Sequence, residues 1–346
     1  MNAEHTHLNS TLPLHCLNTR KPGSLAIFRA LQLGDMLCAV PALRALRAAL
    51  PTTRIALVGL PWAAQFAARF PRYIDDFIEF PGHHALPEQQ ARPDVESAFY
   101  KAMRSHRFDL ALQMHGSGEI SNLIVQSFGA RCVAGFGLPA RPPAKDDCFV
   151  PYPDSGPEPL RLVYLTEHLG APPIGTHLEF PITEADEREL ADSGLADGLP
   201  IGNYLCVHPG ARSRDKCWPA RLFAQVADKL ADEFGLSVVL TGSASEASLT
   251  AAVASHMQTP PIDAAIPLSI GAMAALMSRA RLLLCNDTGV SHIAAGLKLP
   301  SVVVFSKADI RRWAPLDQQR HRCVWDPEGA RAVAVLSQAR TLLGGT

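Results

Sequence analysis

A mostly parallel α/β fold built from two Rossmann-like units is what this chain predicts, on three observations. Its 346 residues exceed the ~100–200 of one typical domain. Short apolar runs of strand length alternate with stretches of helical spacing along almost the whole chain. The alternation also starts twice, near residue 24 and again after residue 181. Composition narrows the class. Apolar residues make up 47%, enough for packed cores, and charged residues 19%, below the ~25% of average domains, which argues against disorder. With 32 basic and 33 acidic side chains, the net charge of −1 argues against a dedicated nucleic-acid binder, whose affinity comes from a broadly basic surface. The eight cysteines include no C-x-x-C pair, so zinc-ribbon and thioredoxin motifs lack support and reduced thiols are expected. Residues 1–22 hold no apolar run of signal-peptide type, and no stretch reaches the ~20 apolar residues of a membrane span. The expected location is the cytoplasm, with room for peripheral contact at the inner membrane surface.

The elements follow in order. Residues 1–22 are polar and read as a flexible extension. A first domain is expected over 23–180. Residues 24–29 (SLAIFR) form its first strand. Gly34 and Asp35 follow, then a helix with Leu37, Val40, Leu43, Leu46 and Leu50 at helical spacing. Pro41 lies where a helix barely tolerates proline, so a local distortion is expected there. Pro51 ends that helix, and 54–59 (RIALVG) is the second strand. Helices are expected at 64–70, 93–106, 119–128 and 160–169, and strands at 76–80, 108–114 and 131–135. Residues 138–159 carry seven prolines and read as loop. A second domain is expected over 181–329. It starts with strand 203–208, helix 219–234 and strand 236–241. A helix from about 245, helix 270–278, strand 281–285, helix 290–297 and strand 301–305 complete it. Such sheets bind ligands at the carboxyl ends of their strands, and two facing units place a ligand in the cleft between them.

Four strand-end segments carry chemistry. In LLLCNDTGVSHIAAGL (282–297) a strand turns directly into a helix. Free N–H groups and the helix dipole make an anion site there, with Thr288 adding a hydroxyl, Gly289 admitting a phosphate and His292 one turn inside. Asp287 or Thr288 as a plain N-cap and His292 as a satisfied surface group is the alternative. In VHPGARSRDKCWP (207–219) a polar loop holds Arg212, Ser213, Arg214 and Lys216. With seven lysines against 25 arginines, a lysine at a strand's carboxyl end stands out: an ammonium there neutralises a diphosphate without a metal. A solvated basic loop is the alternative. TGSASE (241–246) sets Glu246 against ribose hydroxyls or simply in a first helical turn. QLGDML (32–37) offers Asp35 as a general base or as an N-cap. No G-x-G-x-x-G follows the first strand, and Walker A, H-E-x-x-H and G-x-S-x-G sequences are absent. His83-His84 reads as a surface loop before a metal site.

Taken in order, GDMLCAVPALRAL (34–46), GARCVAGF (129–136), HPGARSRDKCWP (208–219), TGSASE (241–246) and NDTGVSHIAAGLKLP (286–300) resemble glycosyltransferase family 9, the ADP-heptose:lipopolysaccharide heptosyltransferase group. The resemblance covers about residues 24–325. It implies a GT-B fold with the acceptor bound by the first domain and the nucleotide sugar by the second. It also implies inverting, metal-independent transfer with no cofactor, the partners being ADP-heptose and a lipopolysaccharide-type glycan. By position, Asp35 matches the family's base, Lys216 its diphosphate lysine and Glu246 its ribose acid. Asp287, Thr288, Gly289 and His292 match its donor site, beside Arg212 and Ser213. Arg69, Arg72 and Arg141 are the candidates for gripping an anionic acceptor. Where the family continues Gly-x-Thr-x-Pro, this chain reads Ser306-Lys307-Ala308-Asp309, and Lys307 is a candidate extra cation. As in many GT-B chains, a last helix within 330–346 is expected to return to the first domain. The competing readings are a nucleotide-sugar isomerase of the same fold, a GT-B transferase with another sugar or acceptor, and a non-catalytic nucleotide-sugar binder.

Overall fold

The computed structural model describes residues 17, 21–137 and 148–344. Its first lobe runs β1 (Ser24–Phe28), α1 (Leu33–Cys38), α2 (Val40–Ala49), β2 (Arg54–Gly59), α3 (Ala63–Arg69), β3 (Asp76–Glu79), α4 (Pro93–His106), β4 (Leu110–Gln113), α5 (Ser121–Gln126), β5 (Cys132–Gly137), β6 (Cys148–Pro151) and α6 (Glu158–His168). The second lobe runs α7 (Glu184–Asp192), β7 (Tyr204–His208), α8 (Ala220–Phe234), β8 (Ser237–Thr241), α9 (Ala247–Ala254), β9 (Ile262–Ala264), α10 (Ile270–Ser278), β10 (Leu282–Asn286), α11 (Gly289–Leu297), β11 (Ser301–Phe305), α12 (Ile310–Trp313), β12 (His321–Trp325) and α13 (Ala332–Gly344).

Each lobe is built on a parallel sheet of six described strands. The orders are β3-β2-β1-β4-β5-β6 and β12-β11-β10-β7-β8-β9, so the second repeats the topology of the first. In both, strand order reverses beside the opening strand, between β1 and β4 and between β7 and β10. That reversal opens the crevice in which α/β sheets bind ligands. Central strands are apolar on both faces because helices cover both: β7, β10 and β11 are buried throughout.

The predicted distortion at Pro41 is a full break: α1 ends at Cys38 and α2 begins at Val40, with Pro41 in its first turn. One expectation is corrected at 138–159. The loop contains β6, paired parallel to β5 from Ala134↔Cys148 to Gly137↔Pro151. A strand on the sheet edge pairs on one side only and so tolerates its proline. The last helix is a second correction. Instead of returning to the first lobe, α13 packs on α8 and against β10, β11 and β12. Its buried Val335, Leu336, Ala339 and Leu343 join the apolar cluster under α8, and Arg340 bonds Glu233 at 2.7 Å. Short β9, β12 and α12 carry too little periodicity to be predicted from sequence. The charged α7 is likewise absent from the sequence reading, although its Thr183/Asp186 capping box is a readable start signal.

The lobes are joined by more than their linker. One apolar cluster runs from Leu25, Met36 and Leu46 of the first lobe into Met273, Leu283 and Ile293 of the second. Polar staples hold the crossing segment. Arg44 Nε bonds Glu179 at 2.8 Å, Tyr73 donates to the same carboxylate at 2.9 Å, and Arg69 reaches both Asp186 oxygens, at 2.6 and 3.0 Å. Arg69 also donates to Pro181 O at 2.7 Å. Both partners of the Arg69–Asp186 pair are largely buried. Removing one partner of such a pair strands the other charge. Arg69→Ala is therefore expected to lower the unfolding free energy by about 3 kcal/mol in urea titrations. The double variant with Asp186→Ala is expected to lose clearly less than the sum of the two single losses.

Candidate active site in the interlobe cleft

On the first-lobe wall, β1 is followed at once by Arg29, whose side chain is buried although its head is charged. The guanidinium donates to the Asp35 carbonyl at 3.1 and 2.7 Å, to Met114 O, and to Glu158 Oε1 at 3.2 Å. The backbone of the α1 first turn is thus hung from the end of β1. Glu158 is buried too and is shared: Arg312 of α12, on the second lobe, reaches Oε2 at 2.9 Å, and Arg161 stands 3.6 Å from it. Tyr152 OH accepts from both Arg161 and Arg312, each at 3.2 Å. Burial alone would raise the Glu158 carboxyl; the Arg29 and Arg312 guanidiniums outweigh it and hold it below the usual carboxylate range.

The second-lobe wall is a loop pinned from beneath. Asn286, fully buried at the end of β10, accepts from Trp218 N at 2.8 Å and donates to Pro209 O at 2.8 Å, closing 209–218 over the strand ends. Trp218 Nε1 is anchored on Asp326 at 2.8 Å. The loop delivers Lys216, whose Nζ lies 3.2 Å from Asp287 Oδ2, to the start of α11. The Gly289 and Val290 N–H groups there have no hydrogen-bond partner among the described residues, as expected for a helix's first turn. Glu246 borders the same loop. Its Oε2 is fixed by Ser243 N at 2.9 Å and Ser243 Oγ at 2.7 Å, while Oε1 is 4.0 Å from His208 Nε2. A Cβ on Gly210 would sit 1.9 Å from that Oε1, so only glycine lets the carboxylate lie there.

The two walls touch where α1 meets α11. A Cβ on Gly34 would lie 2.8 Å from Cδ2 of His292, and one on Gly289 would lie 3.4 Å from Gly34 N. Asp35 therefore begins its helix directly beside the start of α11. His292 is buried against this seam, with Nδ1 3.7 Å from Cys38 Sγ and its ring edge-on to Trp313. Burial lowers its pKa, against the opposing pull of Asp287, Asp35 and Glu158. The sequence reading set His292 at the open mouth; it is instead part of the joint between the lobes.

Known proteins share this architecture. The family model for glycosyltransferase family 9 (heptosyltransferase) matches residues 97–335. The chain belongs to glycosyltransferase family 9. Among its relatives, lipopolysaccharide heptosyltransferase 3 of Escherichia coli is 33% identical over 131 residues, 37% of this chain and 37% of that one. The chain thus matches little over a third of that relative's length. Lipopolysaccharide heptosyltransferase 2 of Salmonella typhimurium is 26% identical over 307 residues, 83% of this chain and 84% of that one. The solved E. coli ADP-heptose lps heptosyltransferase II superposes with a TM-score of 0.73 at 20% identity, covering 93% of this chain and 98% of that one. The two facing Rossmann-like lobes are the GT-B fold.

Within this family 9 chain, Asp35, Lys216, Glu246, Asp287, Thr288, Gly289 and His292 all gather at one cleft. Arg212 and Ser213 sit on the exposed outer part of the Lys216 loop, Ser213 donating to Asp215. Lys307 stands 3.8 Å from Asp215, an exposed pair, and Ser306 Oγ donates to Lys216 O at 3.2 Å. The Ser306-Lys307 departure therefore braces the lysine loop. Two acceptor candidates are corrected. Arg69 is consumed by Asp186 and Pro181. Arg72 lies in the turn from α3 to β3, at the amino ends of the strands and away from the cleft. Arg141 lies outside the described residues. Sequence reasoning missed Arg29, Glu158, Arg312 and Asn286. The one readable signal was a charge closing the apolar run of β1.

A pH dependence follows from Glu158. Its folded pKa is depressed, so its stabilisation is complete above the unfolded value of about 4.3 and is lost as pH falls through the folded pKa. Glu158→Gln leaves three guanidiniums without their carboxylate. Its stability deficit in urea is expected to be about 3 kcal/mol near neutrality and to narrow on acidification. A deficit that widens toward pH 3 would contradict this account of the pair.

Proposed function

We propose that this protein is an inverting, metal-independent heptosyltransferase that moves a heptose from ADP-heptose to a lipopolysaccharide inner-core acceptor. The observation that carries the reading is the meeting of the α1 start, with Asp35, and the α11 start, with Lys216 and Asp287, across one seam. The names of the similar proteins, lipopolysaccharide heptosyltransferases 2 and 3, support heptose as the sugar and lipopolysaccharide as the acceptor. ADP-heptose stands in the name of the similar solved structure.

The chemistry needs two things at once. An acceptor hydroxyl must lose its proton as it attacks, and a nucleoside diphosphate must leave with growing negative charge. Asp35 supplies the base from the first lobe. From the second lobe, Lys216 and the free N–H groups opening α11 stabilise the departing diphosphate, the role a metal ion would otherwise fill. Asp287 holds Lys216 in place through the 3.2 Å pair. Glu246, fixed by Ser243, offers its second oxygen to ribose hydroxyls. Base and leaving group on opposite lobes favour a single in-line displacement, which inverts the anomeric centre. Family membership favours transfer over isomerisation. A lipopolysaccharide acceptor calls for work at the inner membrane surface; no helix among the described residues is long and apolar enough to cross a membrane.

Two variants separate the roles. Asp35→Asn is expected to reduce heptose transfer about a hundredfold or more, with ADP affinity by calorimetry unchanged. Lys216→Ala is expected to weaken ADP binding about tenfold. Undiminished transfer by Asp35→Asn removes it as the base, and unchanged ADP affinity in Lys216→Ala removes the lysine from the diphosphate site.

A further inference from the structure

The first-lobe wall holds a second polar constellation to which the transfer chemistry at Asp35 gives no role. His115 lies two residues past the end of β4, is buried, and stacks on Phe28 with ring centroids 5.3 Å apart. Its Nδ1 accepts the Ala30 N–H at 3.3 Å, which puts the ring proton of the neutral imidazole on Nε2. Burial first, and Arg29 second, push its pKa down to about 3, so the ring is neutral in any physiological solution. Nε2 faces Glu88 Oε1 at 3.9 Å, too far for a hydrogen bond. The other oxygen, Glu88 Oε2, is buried with no hydrogen-bond partner among the described residues. A donor and a carboxylate are therefore held side by side without satisfying each other, an arrangement that costs free energy unless something is bound between them.

We propose that Glu88 and His115 form a subsite for an uncharged sugar hydroxyl of the acceptor, beside the hydroxyl that Asp35 activates. The inference rests on the transferase reading for the word acceptor, and on the geometry alone for the word hydroxyl. A hydroxyl donates to the carboxylate and accepts from Nε2–H in one step. A phosphate or carboxylate has no proton to give Glu88 and is repelled by it. An ammonium has no lone pair for Nε2–H. The position fits. Met114, one residue before His115, takes a hydrogen bond from Arg29, whose other nitrogens carry the Asp35 carbonyl. Ala30 and Asp35 leave the same strand, β1. Of the arginines expected to grip an anionic acceptor, Arg69 is engaged by Asp186 and Arg72 lies away from the cleft. At this subsite the wall selects neutral polyol.

The test is a titration of the full chain, labelled with 15N at histidine, with a lipid-free inner-core oligosaccharide lacking its last heptose. The expected result is a shift of the His115 Nε2 resonance that saturates with binding. Glu88→Gln and His115→Gln are each expected to weaken that binding about tenfold, the double variant being little worse than either, with unchanged ADP affinity as the control for folding. Binding that leaves His115 unmoved, equal affinity in Glu88→Gln, or no binding at all overturns the proposal; water then fills the gap. Donor-dependent transfer by the unaltered protein is scored separately. A His115 shift without transfer keeps the subsite and removes the transferase reading.

Discussion

One buried carboxylate holds the working parts of this molecule in register. Glu158 takes Arg29 from the end of β1, Arg161 from its own helix and Arg312 from the second lobe. A carboxylate taken out of water is costly unless it is paired and hydrogen-bonded, so these partners cannot separate cheaply. Arg29 in turn carries the backbone of Asp35. The Asp35 turn, the end of the first sheet and the second lobe therefore meet in one network. Lateral shift of Arg312 with its lobe would be felt at Asp35 through two ion pairs.

The two walls of the cleft are made differently. The first is set by charge inside the protein, whereas the second is set by backbone. Asn286 and Trp218 fold the 209–218 loop back onto β10 and β12, and Ser306 holds the carbonyl of Lys216. Only then does a lysine on a loop arrive at a fixed place next to a helix start. Closeness between the walls depends on a missing side chain, since Gly34 has no Cβ to meet His292. The Glu88–His115 couple lies on the first lobe, with His115 bonded to Ala30 next to Arg29, whereas Lys216 comes from the second.

Much of this was legible in the residues, for physical reasons. β1, β2, β7, β8, β10 and β11 are continuous apolar runs because both sheet faces are covered, and such runs announce themselves. Strand-end motifs were legible because a ligand at the carboxyl ends of a parallel sheet is bound by short local segments: Asp35, Lys216 and Asp287–Gly289 each sit within a few residues of a strand. What escaped was long-range. Glu158 is 129 residues from Arg29 and 154 from Arg312, and no local pattern records that they meet. β6 escaped because an edge strand tolerates the prolines that read as loop. Arg69 was misassigned because an arginine gripping Asp186 and one awaiting a ligand look alike in sequence. His292 was placed on the right helix but not in the seam, since burial between lobes is a tertiary fact.

The central claim is that donor site and base face each other across the seam of α1 and α11. Its most direct measurement is a crystal structure of the protein with a non-transferable ADP-heptose analogue. The account predicts the diphosphate on Lys216 and the Gly289 and Val290 N–H groups. It also predicts the anomeric carbon turned toward Asp35, with room for an attacking oxygen at about 3–3.5 Å. A nucleotide seated away from Lys216, or an anomeric carbon facing away from Asp35 while Glu158 still binds both arginines, would contradict it.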